Sequence, residues 1–425
     1  RLPGVPERIF QLKAVPPDTV LLNEVYASRV DILISEDKKI HQKAVALGLE
    51  GKVFRINTFL EKVFSENPEL ANYKVLSVKK VRFGKLDLAD PFFTTLQEDY
   101  PGFDQWFNKK ADEFAYVTLN QSNGKLLSFL YIKREDPDES YPDIVPSFVP
   151  KRRLKVGTFN VVSNGVRLGE RFLKIIFDNA LIQKVEEIYV TIFDKRSEQR
   201  RLIELLEDWG FTFHGKKGNE ELVYVRDFRP KVNFTNLKLS YPFISLKASI
   251  YLVPIRQEYH TELLPDSILN NERPTDFLDD EPHRNAISKV YVSDSFDRNL
   301  KKGDVLVFYR TGGLYISVVT TVAVVDEVID PVASEAEFIA KCKNRSVFNE
   351  AKLKEKWNSK QNVRPFLVNF LYVYSFPKRI NMKRLIELGV LAGVTDAPRG
   401  FKSISKEKFV DIIQDTESDA RFIVD

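Results

Sequence analysis

The run Leu154-Lys-Val-Gly-Thr-Phe-Asn-Val-Val162, followed by Ser163-Asn-Gly-Val-Arg-Leu-Gly169, constrains this chain more than any other segment. Apolar and β-branched residues make its first part a strand. Gly165 permits a positive φ and Gly169 a close backbone approach, so a turn follows. From Glu170 to about Ile182, Phe172, Leu173, Ile176, Phe177 and Ala180 recur at spacings of three and four, the stripe of an amphipathic helix. Strand, glycine turn and helix start bring unpaired backbone N–H groups and the positive end of a helix dipole to one point, a natural seat for phosphate. Arg167 adds a charge that can reach a phosphate oxygen. An ordinary turn with a helix cap has the same pattern, so the neighbouring elements must decide between the two.

Those neighbours form a consistent series. Upstream come a strand (Val75 to Arg82), a helical stretch opened by Asp90-Pro91, and a hairpin of Phe114 to Leu119 and Lys125 to Lys133 around Asn120-Gln-Ser-Asn-Gly124. Downstream come a strand (Glu187 to Phe193), a helix (Arg201 to Trp209) with Leu202, Leu205, Leu206 and Trp209 on one face, a stop at Gly210, and a strand from Leu222 to Val225. Before this section, helix-like Thr19 to Ala27, strand Val30 to Ser35, helix Lys38 to Leu47, strand Val53 to Ile56 and helix Phe59 to Phe64, capped by Thr58, alternate as in a parallel sheet. The turn-rich Ser65-Glu-Asn-Pro-Glu69 makes a boundary. After about residue 233 the chain is strand-rich, at Ile250 to Pro254, Lys289 to Val292, Asp304 to Tyr309 and Tyr315 to Val328. An acidic loop from Asp266 to Glu281 and helices at 334–342, 349–357 and 382–389 complete it.

Composition excludes several classes. At 425 residues the chain is too long for one core, and about 150 residues per domain gives three. Lys and Arg number 64 against 60 Asp and Glu, a net +4, so composition alone argues for no nucleic-acid partner and none is expected in DNA. One cysteine, Cys342, excludes an intrachain disulfide and every multi-cysteine zinc site, and fits a reducing, cytoplasmic setting. The four histidines stand far apart, and no apolar run approaches the roughly 18 residues of a membrane span.

Across about 160 residues the element order resembles the GNAT acyltransferases. Asn164-Gly-Val-Arg-Leu-Gly169 stands where that family has Arg/Gln-x-x-Gly-x-Gly/Ala, and Leu206-Glu-Asp-Trp-Gly-Phe211 where it has Tyr-x-x-x-Gly-Phe. The resemblance implies acetyl-CoA as donor, held by Phe159, Val161 and Val162 along the pantetheine arm and by Asn164, Gly165, Val166, Arg167, Leu168 and Gly169 at the pyrophosphate. The family's tyrosine, which reprotonates the CoA thiolate, is Leu206 here. Asp194 is the nearest titratable substitute, Glu135 a candidate base, and Tyr100 the aromatic expected to face the acceptor groove. The first section resembles the end of a PIN-domain nuclease, with Asp18 and Asp37 as two of its four carboxylates. The other two would precede Arg1, so no metal site is expected in this chain. The third resembles the ASCH group of PUA-like barrels through Tyr251-Leu-Val-Pro-Ile-Arg256, Lys289-Val-Tyr291 and Lys302-Gly-Asp-Val-Leu-Val-Phe-Tyr309, though that family's Gly-x-Lys-x-x-Glu-x-Arg signature is missing. Arg256, Lys289 and Arg310 are its candidate phosphate contacts, and Tyr291 and Tyr309 its candidate stacking faces.

The expected fold is therefore α/β in three parts: a partial PIN-like parallel unit (1–68), a GNAT mixed-sheet core (69–232) and a PUA-like β-barrel (233–425). The expected activity is acetyl transfer from acetyl-CoA to an amine, with RNA or an RNA-linked amine such as aminoacyl-tRNA as acceptor and a toxin-like role by analogy. A protein or small-molecule acetyltransferase with a docking barrel, and a non-catalytic RNA-binding adaptor, are the alternatives. The sequence leaves the oligomeric state open.

Overall fold

The structure is a computed structural model that describes residues 17–55, 59, 78–120, 123–161, 168–218, 220–267, 284, 286–343, 345–359 and 363–425. The expected helix after Phe59, the boundary at 65–69, the first residues of the strand from Val75, most of the acidic loop, and the turn from Val162 to Arg167 lie outside the described residues.

The first section contains α1 (Pro17–Tyr26), β1 (Leu33–Ile34), α2 (Lys38–Ala46) and β2 (Val53–Phe54). The two strands pair in parallel, and Leu22, Val25, Ile40, Ala44, Leu49 and Val53 form a small core. Parallel neighbours require a crossover, which α2 supplies. Phe54 meets Tyr315 of the third section edge-on at 5.3 Å.

The middle section runs β3 (Lys79–Arg82), α3 (Thr94–Asp99), α4 (Phe103–Asn108), β4 (Phe114–Leu119), β5 (Leu126–Glu135), β6 (Ile144–Val145), β7 (Arg153–Val161), α5 (Leu168–Ile182), β8 (Glu187–Ile192), α6 (Ser197–Asp208), β9 (Thr212–Lys217) and β10 (Leu222–Asp227). They build a mixed eight-stranded sheet in the order β3-β4-β5-β7-β8-β10-β9-β6, with β7 and β8 its one parallel pair. The apolar stripe of α5 lies on this sheet: Phe172, Leu173, Ile176, Phe177 and Ala180 are all fully buried. Phe83, Phe92, Phe93, Phe103, Phe107 and Phe129 fill a second core on β4 and β5.

The third section contains β11 (Ile244–Ser245), β12 (Ile250–Ile255), α7 (Gln257–Leu263), β13 (Ser288–Ser293), β14 (Val305–Arg310), β15 (Val318–Ile329), α8 (Glu335–Cys342), α9 (Glu350–Ser359), β16 (Phe366–Asn381), α10 (Met382–Glu387), β17 (Lys402–Ile404), α11 (Lys406–Asp415) and β18 (Ile423–Val424). The closed barrel expected from the sequence is not formed among the described residues. The sheet is open, in the order β13-β16-β15-β14-β12-β17. It curls until the Tyr291 hydroxyl on edge strand β13 donates to the Pro254 carbonyl of β12 at 2.6 Å, but no ladder joins β13 to β12 or β17.

The second and third sections share one continuous core running from α5 through Trp209 to Tyr241, β12, β14, β15 and β16. At its centre the Tyr241 hydroxyl donates to the Tyr372 carbonyl at 2.6 Å. Charged contacts lock the same face: Arg171 of α5 pairs with Asp266 at 2.5 Å, and Glu170 accepts from the Ser288 backbone N–H at 3.0 Å.

Candidate functional site

One extra residue in β7 creates the cleft. Along the β5–β7 ladder, Tyr131 opposes Thr158 and Ile132 opposes Val156, so Gly157 bulges out of the pairing. Only glycine fits, because a Cβ there would lie 2.7 Å from Tyr131 Cδ1. Just before this bulge the parallel β7–β8 ladder ends, at Val156 opposite Val190. Beyond it β7 stays with β5 while β8 stays with β10, out to Leu222 opposite Ile192. The two strands splay.

The opening leads into a cavity of about 940 Å³. Gly157 to Val161 form one wall and Val190 to Ile192 the other; Leu168 and Gly169, the first residues of α5, close one end. The first backbone N–H groups of a helix have no partner inside it, which suits this end to an anion. Phe159 and Val161 are half-buried and pack against the core. Gly169 approaches α6 so closely that a Cβ would come within 2.6 Å of Leu205 Cδ2. Val162, Asn164, Gly165, Val166 and Arg167 lie outside the described residues.

The cavity also holds a cluster of titratable groups. Glu135, at the end of β5 and 3% exposed, accepts from the hydroxyls of Tyr141 at 2.9 Å and Tyr189 at 2.7 Å. Lys133 and Lys155 stand 3.6 and 3.9 Å from its other oxygen. Burial pulls the Lys155 ammonium below its ordinary range, with the Glu135 charge opposing. Tyr100, after α3, donates its hydroxyl to Glu221 at 2.7 Å and rests on Phe193 at 5.2 Å. Burial first, then the Glu221 charge, pushes this phenol far above its usual range, so it remains a donor at any working pH. Lys217 lies 3.8 Å from the same carboxylate. Glu221 and Lys155 carry no sequence signal: one precedes β10 and the other lies within β7 as ordinary charged residues, and only the fold turns them inward.

Asp194 is placed elsewhere. Its side chain is about half exposed, pairs with Arg200 at 2.7 Å and does not line the cavity. Leu206 is fully buried in the core, as its place in the helical stripe requires.

In the third section three of the five expected RNA contacts are internal, which corrects that expectation. Lys289, Tyr309 and Arg310 are at most 2% exposed, because β14 is covered along its whole length on both faces and Lys289 lies on a covered stretch of β13. A buried side chain cannot reach a phosphate or stack on a base. Arg256 and Tyr291 do line a surface groove of about 1090 Å³, with Tyr259, Phe348, Phe401 and Arg399. Several of its cations are already paired, Lys402 with Asp396 at 2.7 Å and Lys352 with Glu355 at 2.8 Å.

In the first section Asp18 pairs with Lys43 at 2.5 Å, and that contact holds its carboxyl below the ordinary range. Asp37 caps α2, accepting from the Lys39 N–H at 2.7 Å. Among the described residues no three His, Cys, Asp or Glu side chains gather as a metal site requires. No described helix is long and apolar enough to cross a membrane.

No protein-family model matches the chain, and no curated protein matches it. Among solved structures, a GNAT-family acetyltransferase from Streptococcus agalactiae aligns at 16% identity over 37% of this chain and 98% of its own, with a TM-score of 0.26. The NatC complex bound to Gag peptide and CoA aligns at 14% identity over 35% and 96%, with a TM-score of 0.24. The human THYN1 protein, in complex with 5-methylcytosine-containing DNA, aligns at 13% identity over 40% and 99%, again with a TM-score of 0.24. Scores this low carry no functional weight.

Proposed function

We propose that the chain is an acetyl-CoA-dependent N-acetyltransferase. The observation that carries this reading is the splay of β7 from β8 beside the start of α5, which gathers a ladder-free strand edge, a helix N-terminus and a carboxylate–phenol–lysine cluster around one cavity. Acetyl-CoA bound there would supply an acetyl thioester as electrophile. The edge of Gly157 to Val161 suits an extended amide-bearing arm, which would pair with it as an added strand. A backbone N–H on that edge would polarise the thioester carbonyl. The start of α5, with the turn residues Val162 and Asn164 to Arg167 before it, would seat the pyrophosphate. An attacking amine must be neutral. Tyr100 and Glu221 form the wall that receives it, and Glu135 takes its proton. Asp194, turned toward Arg200, has no part in this scheme.

Incubating the protein with labelled acetyl-CoA and a cell extract, then identifying labelled products by mass spectrometry, tests the proposal. New N-acetyl groups that fail to form with Glu135→Gln support it. Acetyl-CoA binding without any transfer would leave a binding protein in place of an enzyme.

A second reading concerns the acceptor. The groove holding Arg256, Tyr291, Tyr259 and Arg399 on the third section favours an RNA or an RNA-linked amine such as aminoacyl-tRNA over a free small molecule. Affinity for bulk tRNA should then fall with salt by a slope of about −0.7 per phosphate contact, and Arg256→Ala with Arg399→Ala should flatten it. A gel-shift titration showing no binding at low salt would favour a protein or small-molecule amine.

A further inference from the structure

Position 206 holds a buried leucine where the resemblance would place a phenol to reprotonate the leaving group; the hydroxyls of Tyr100 and Tyr189 are engaged by Glu221 and Glu135, and the cleft contains another proton donor. We infer that Lys155 is the acid that protonates the departing CoA thiolate and that its ion pair with Glu135 resets both groups after each turnover. This rests on the acetyltransferase reading above.

The geometry has three parts. Lys155 is on β7, two residues before the Gly157 bulge, and lines the cavity where the strands begin to part. Its ammonium lies 3.9 Å from Glu135 and 5.8 Å from the centre of the Tyr189 ring on β8. Across the cleft it faces Lys217 and Glu221 of the β9–β10 hairpin, and Lys133 flanks it on β5. Burial and the two neighbouring lysines pull its proton affinity down, while Glu135 and Glu221 push it up, and burial dominates. A lysine in such a place gives up its proton more readily than one on the surface, as an acid at neutral pH must.

The step balances without any further reagent. The amine nitrogen donates its lone pair to the thioester carbonyl carbon, and its surplus proton passes to Glu135. The C–S bond breaks with its electron pair on sulfur, and the thiolate takes a proton from the Lys155 ammonium. Glu135 then returns its proton to the neutral Lys155 amine across their contact. Both residues finish as they began, and the products are an N-acetylated amine and the free thiol.

The test uses the intact protein with CoA and acetyl-CoA, so no acceptor need be known. The ultraviolet thiolate band of bound CoA is followed against pH. The Lys155 ammonium should lower the pKa of the bound thiol below its free value, and Lys155→Met should raise it again. Turnover of acetyl-CoA with water as acceptor gives the second readout. Wild type should lose activity as pH rises through the Lys155 pKa, and Lys155→Met should fall by about 10²- to 10⁴-fold at unchanged acetyl-CoA affinity. Lys155→Arg keeps the charge but holds its proton too tightly to transfer, so it should be equally slow. An unshifted thiol in the wild-type complex, or full turnover by either variant, would overturn the role of Lys155 and leave the acetyltransferase reading standing. Failure of wild type to bind CoA at all would remove both.

Discussion

Lys289 lies on β13, 2% exposed, and burial pulls its ammonium down to about 7, with Asp266 opposing and Arg171 adding to the drop. Below that pH the group is charged in both the folded and unfolded states. Between about 7 and its ordinary value of about 10.4, the unfolded chain binds the extra proton, so stability rises with pH across this window. The folded form thus carries a cost in acid that is relieved in alkali. Lys289→Met should therefore stabilise the protein at pH 6, by an amount on the order of 3 kcal/mol, and the gain should shrink toward pH 10. Urea melts at several pH values measure it; a gain independent of pH would mean that the lysine is not the titrating group. Sequence alone could not place this residue. Alternation along Lys289-Val-Tyr291 shows a strand, but which face is covered depends on partners far away in the chain. Tyr309 and Arg310 were unreadable for the same reason, whereas Leu206 was legible because a helical stripe names its own buried face.

At the scale of elements, α5 does two jobs. Its first residues close the cleft, and one face carries the charges that fasten the third section. Arg171 is 5% exposed, and its partner Asp266 is nearly as enclosed. Removing one member of a buried pair strands the other, which typically costs about 3–5 kcal/mol. Asp266→Ala should lower stability by about that much in equilibrium unfolding, whereas a loss under about 1 kcal/mol, the range of exposed pairs, would show the pair to be hydrated. The elements of the middle section were legible because turns and periodicity agreed there. β16, at 16 residues the longest strand among the described residues, is absent from the sequence reading despite Phe366-Leu-Val-Asn-Phe-Leu-Tyr-Val373, and with it the means to see that the sheet stays open. The Gly157 bulge was also hidden: a glycine inside a strand signals a bulge in general terms, but its consequence depends on the register of two neighbours.

At the scale of the whole molecule, the core that the second and third sections share could not be seen in the sequence, whose reading treats them as separate units. Hydrophobic patterning tells that a face is covered without naming what covers it. The consequence is that α5 touches both the cleft and the third section. Everything proposed for this protein depends on what the cleft binds. The most direct measurement is calorimetric titration of acetyl-CoA into the intact protein and into Gly169→Asp. Aspartate in the first turn of a helix favours folding, and the nearest obstacle to its Cβ is the mobile end of Leu205, so the variant should keep its melting temperature. Its negative charge at the anion seat should weaken binding by at least about tenfold, or 1.4 kcal/mol. Saturable binding by the wild type and that loss in the variant are the predicted result; no binding by the wild type, or equal affinity in both, would contradict the account.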